Sequence, residues 1–83
     1  MIEKFRIAFS IPEDHDLIEI KTRAKGPGEA FDSWWHEEKD SAGHVIARYE
    51  SWHNTTPSLN AKSGFKKYST AGVLVSEKNQ INI

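Results

Sequence analysis

The sequence predicts an all-β domain, a small antiparallel sheet or open barrel of about six strands in consecutive hairpins, with α+β carrying one helix near 29–42 as the alternative. Three observations predict it. Apolar residues alternate with polar ones in several short runs. Proline and glycine punctuate the chain at 12 and at 26–28. A polar turn with glycine followed by β-branched residues occurs twice, as Asp40-Ser41-Ala42-Gly43-His44-Val45-Ile46 and Ser69-Thr70-Ala71-Gly72-Val73-Leu74-Val75.

The first alternation places Phe5, Ile7, Phe9 and Ile11 on one side and Lys4, Arg6, Ala8 and Ser10 on the other, which reads as a strand. Pro12 and the acidic Glu13, Asp14 and Asp16 interrupt it. Ile18, Ile20, Thr22 and Ala24 then resume the period opposite Glu19, Lys21 and Arg23, completing a first antiparallel pair. Gly26-Pro27-Gly28 marks the next turn.

Between Gly28 and Gly43 two periods compete, since Phe31, Trp34, Trp35 and Glu38 also fall at helical spacing. A helix here would lack an N-cap and would place Glu37, Glu38 and Asp40 at the negative end of its dipole, so strand is preferred. The repeated turn supports that choice. A type I turn followed by a left-handed glycine makes the three-residue hairpin loop with a G1 bulge, and both copies have glycine at that position. Hairpins are therefore expected at about 31–53 and 65–79, separated by an exposed loop at 54–64 that contains Pro57.

Pairing Asp40 with His44 sets a register in which Trp35 faces Tyr49 and Glu37 faces Ala47. The expected core face then holds Phe31, Trp35, Val45, Ala47 and Tyr49. Trp34, His36, Arg48, Glu50 and Trp52 share the opposite, solvent-facing side and form the candidate binding site, because tryptophan and arginine dominate interface energetics. A slip of one residue would exchange the faces.

Composition narrows the function classes. The 83 residues suffice for one domain over 1–83 with a modest core. A net charge of −1 offers no general attraction for phosphate backbones or anionic lipid, so nucleic acid is a disfavoured partner. The absence of cysteine removes thiolate chemistry and disulfides, and it fits a reducing, cytoplasmic setting. No apolar run suggests a leader or a membrane span.

Chemical motifs are sparse. His36 and His44 with Glu38 and Asp40 offer metal-ligand atoms at generic spacing, and neither a metal nor another cofactor is expected. No serine sits in a nucleophile elbow. Gly26-Pro27-Gly28-Glu29 puts proline and an acid where a phosphate loop needs donors. Lys62, Lys66 and Lys67 interleave with Phe65 and Tyr68, but alternation splits them between two faces, as edge-protecting lysines would be. The expectation is a small non-catalytic binding or accessory module acting on another protein, with a homodimer compatible. Single-stranded nucleic-acid or carbohydrate binding on the same aromatics is the alternative, and a small His/carboxylate enzyme in a dimer cleft is the third reading.

Overall fold

The computed structural model describes residues 2–24, 31–54 and 63–79. Among these residues a short helix, α1 (Ile2–Ala8), precedes five strands: β1 (Asp16–Arg23), β2 (Phe31–Lys39), β3 (Val45–Asn54), β4 (Ser63–Tyr68) and β5 (Leu74–Lys78). The strands form one antiparallel sheet in the order β1-β2-β3-β4-β5, left open at both edges. The architecture is mostly sheet built from consecutive hairpins, with five strands in place of six.

The missing strand is the helix. The alternation at 5, 7, 9 and 11 contains a four-residue spacing, and in α1 Phe5 and Phe9 share one side while Ile7 is 76 % exposed. A Schellman motif closes the helix. Ser10 takes the left-handed position with φ 57°, its N–H donates to the Ile7 carbonyl, and the Ile11 N–H donates to the Arg6 carbonyl. Ile11 packs back on the core just before Pro12. Serine in a position glycine usually takes conceals this stop in the sequence. The Arg6 guanidinium donates to the carbonyls of Pro12 and His15, tying the connection to β1.

The repeated turns form as the sequence implies. In both, the glycine is left-handed, with φ 86° at Gly43 and 81° at Gly72. Gly43 N–H donates to Asp40 O and Asp40 N–H to His44 O; Gly72 N–H donates to Ser69 O and Ser69 N–H to Val73 O. Asp40 Oδ1 also accepts from the amides of Ala42 and His44, and Ser69 Oγ from those of Ala71 and Val73.

One further shared feature changes the register. Beyond the turn, Lys39 pairs with Val45 but Glu38 pairs with Ala47, so Ile46 is an extra residue; likewise Tyr68 pairs with Leu74 but Lys67 with Ser76, leaving Val75 extra. Asp40 and His44 are partnered as expected, but from Glu38 onward β2 is displaced by one residue. Trp35 therefore opposes Glu50, and His36 opposes Tyr49. The expected face holds for Ala47 and Tyr49 and is reversed for β2, where Trp34, His36 and Glu38 join the core side. The side chain of Phe31 lies outside the described residues, as do the turn at 26–28 and residues 55–62 of the expected loop.

A third irregularity, between Glu19 and Lys21, makes Ile20 the extra residue of β1. Leu17 is the buried residue of that strand, while Ile18 and Ile20, assigned to the core side by alternation, are exposed.

The core lies between α1 and one side of the sheet. Phe5, Phe9, Leu17, Ala47, Tyr49 and Phe65 form it, with Trp34, Ala8 and Ile11 packed around them. Phe9 stacks on Tyr49 with centroids 4.3 Å apart and rings inclined by 7°, and it meets Phe65 edge-on at 4.7 Å. Phe5 lies 4.5 Å from the His36 ring and 5.3 Å from Trp34.

Candidate functional site

Antiparallel partners project to the same side, so the pairing orders the surface into rows. On the side away from α1, one row crosses all five strands as Ile18, Glu37, Arg48, Tyr68 and Leu74. The next runs Lys21, Trp35, Glu50, Lys66 and Glu77. Arg23, Ser33, Trp52 and Gly64 make a shorter third row.

Charges alternate in sign along the second row. Arg48 Nε donates to Glu37 Oε2 at 3.1 Å, and Lys21 Nζ sits 4.9 Å from the centroid of the Trp35 ring. Between Trp35 on β2 and Tyr68 on β4 the surface sinks into an open depression of about 170 Å³, to which Ile20, His36, Arg48, Tyr49 and Glu50 also contribute. Its wall beyond Tyr68 is the turn carrying Ser69 and Gly72. Elsewhere on the strands Ile18, Ile46, Leu74 and Val75 are exposed, and Ile18 and Leu74 stand in the first row of this side. The extra residues Ile20, Ile46 and Val75 are each β-branched and each exposed, and Ile20 borders the depression.

The five site residues expected from sequence are divided by the fold. Arg48, Glu50 and Trp52 lie on the outer side as expected, with Trp52 half-buried over Gly64. Trp34 and His36 lie on the inner side under α1, because the bulge at Ile46 shifts β2. Trp35 and Tyr68 take the places at the outer surface. For Tyr68 the available signal was its place as the aromatic residue just before the second repeated turn; for Trp35 the sequence offered none.

On the inner side burial shifts the titration of two groups, His36 and Tyr49. His36 is 0 % exposed and neither ring nitrogen has a hydrogen-bond partner among the described residues; burial lowers its pKa below 6.5, opposed by the Glu19 carboxylate 3.9 Å from Nε2. Glu38, buried beside it, accepts from the Tyr49 hydroxyl at 2.6 Å and pairs with His15 Nδ1 at 2.6 Å. Burial, and then Glu38, raise the Tyr49 pKa well above 10. His44 instead sits in the exposed turn 3.4 Å from Asp40. His36 and His44 are thus on different parts of the fold, and among the described residues no three histidine or carboxylate side chains converge as metal ligands would.

Among the described residues no helix is long and apolar enough to cross a membrane. Comparison with protein-family models, with curated proteins and with solved structures finds no match to this chain.

Proposed function

We propose that this chain is a non-catalytic binding module that holds an extended segment of a partner protein across the outer side of its sheet. The observation that supports the reading is the one-sided cover among the described residues: α1 packs on the inner side, while the outer side keeps Trp35 and Tyr68 around a depression with Ile20, Arg48 and Glu50. Exposed aliphatic residues beside aromatics and paired charges are the ingredients of an interface core with a polar rim.

The dimensions favour a segment over a globular face. Four inter-strand spacings of roughly 4.8 Å make the sheet about 19 Å across, the length of some six extended residues. An apolar side chain of that segment would enter between Trp35 and Tyr68. Arg48 and Glu50, already part of a charge lattice, would orient its backbone or polar groups.

A displayed library of random twelve-residue peptides, selected on the whole chain and followed by NMR shift mapping, tests this reading. The expected binders perturb the amides of Trp35, Glu50, Lys66 and Tyr68 and lose at least tenfold in affinity with Trp35→Ala or Tyr68→Ala. Ile7→Asp, on the exposed side of α1, leaves them unchanged. Binders that map to α1, or that tolerate both alanine variants, would refute it.

A further inference from the structure

We propose that α1 is an acid-released strap: uptake of a proton by His36 expels Phe5 and Phe9 from the inner side of the sheet and leaves β1–β5 paired. This concerns the inner side of the sheet, where the His36 ring lies, and does not require the proposed binding function.

The geometry leaves a charged His36 nowhere to go. Its ring is fully buried, Phe5 covers it at 4.5 Å and Phe9 approaches its edge at 5.8 Å. From β1 it meets Glu19 at 3.9 Å, beyond hydrogen-bonding reach. From β3 it faces Tyr49, whose hydroxyl is committed to Glu38, and from β4 Lys67 lies over the Tyr49 ring, adding positive charge. On α1, Arg6 is engaged with carbonyls, while Glu3 and Lys4 are exposed. The adjacent row holds Glu38 paired with His15. An imidazolium here would be buried with neither N–H within hydrogen-bonding reach of an acceptor among the described residues; the half-exposed Glu19 offers only partial compensation, and the rings of Phe5 and Phe9 compensate less than water would.

The strap is the element that yields. A seven-residue helix is not stable alone, and α1 is held by Phe5, Phe9, Ile11 and the Arg6 bonds, whereas each strand of the sheet is held by a backbone ladder. Release restores His36 to water and to its ordinary pKa of 6.5. Because the docked state holds the proton less tightly, docking is at full strength above that value. It weakens by up to tenfold for each pH unit below it, until the pKa of the docked state is passed.

Amide exchange of the full ¹⁵N-labelled chain, corrected for intrinsic rates, reads this directly. The expected result is that protection at Phe9 and Ile11 falls about tenfold per pH unit below 6.5 while β3 amides keep theirs. His36→Phe removes the dependence. Glu19→Gln, a change at a half-exposed side chain, lets the loss continue to lower pH before it levels, since the carboxylate no longer supports the docked imidazolium. Simultaneous loss in α1 and β3 would overturn the proposal, as would an unaltered pH dependence in His36→Phe or, if that variant does not fold, in Glu19→Gln.

Discussion

Trp52 and Gly64 face each other across β3 and β4, and the indole occupies the space any side chain at 64 would need: a Cβ there would come 2.4 Å from Trp52 Cζ2 and 2.6 Å from the Lys78 carbonyl oxygen. The glycine is therefore required by crowding from two sides. It also explains how a tryptophan on the outer side of an open sheet becomes half-buried, by covering backbone instead of entering the core.

Gly64→Ala is accordingly expected to destabilise the chain by about 1–3 kcal/mol, the usual range for overpacking. Urea unfolding measures it. In a Trp52→Ala background the clash with the ring is gone but the one with the Lys78 carbonyl remains, so Gly64→Ala should cost less there than in the wild type but still be destabilising.

Tyr49→Phe leaves buried Glu38 with His15 as its remaining partner. A loss of about 1–3 kcal/mol at neutral pH is expected, as for a buried acceptor deprived of its donor. At alkaline pH the order changes. The raised pKa of Tyr49 means its contribution is intact below pH 10 and is lost as pH rises above that value. The wild-type chain should therefore lose stability above pH 10 more steeply than Tyr49→Phe, as denaturant midpoints across that range will show.

The Asp40 turn carries an acid dependence of opposite sense. Hydrogen bonds from the His44 and Ala42 amides hold the Asp40 pKa below 3.8, so the turn is fully supported above that pH and weakens as the pH falls through the lowered value. Asp40→Asn keeps an acceptor without the charge. Its denaturant midpoint should fall less than that of the wild type between about pH 4 and pH 2.

Gly43 and Gly72 have open space around them, so any cost of substitution comes from the left-handed backbone alone. Gly43→Ala and Gly72→Ala should each lose about 1 kcal/mol in thermal or urea unfolding, with asparagine recovering much of it at either position.

Those turns were the most legible part of the sequence, because a left-handed glycine after a polar tripeptide is a local requirement visible in the residues themselves. The facing of Ala47 and Tyr49 followed from simple alternation. The bulges at Ile46 and Val75 were not visible: isoleucine and valine suit any strand, and nothing in their chemistry announces an unpaired position. The extra residue at 46 moved Trp34 and His36 to the inner side and brought Trp35 out, so three of the five expected residues, Arg48, Glu50 and Trp52, remain on the outer side. Phe5 to Ile11 was misleading for a related reason. A helix too short to show a full period presents the same alternation as a strand, and Ser10 stands where a glycine would have signalled the end.

Both outer strands of the open sheet carry one of these irregularities, Ile20 in β1 and Val75 in β5. A neighbouring molecule seeking to extend the sheet would meet a kinked row of donors and acceptors at either margin, out of phase with its own regular spacing. Insertions of this kind disfavour edge-to-edge pairing between copies, the step from which fibrils grow.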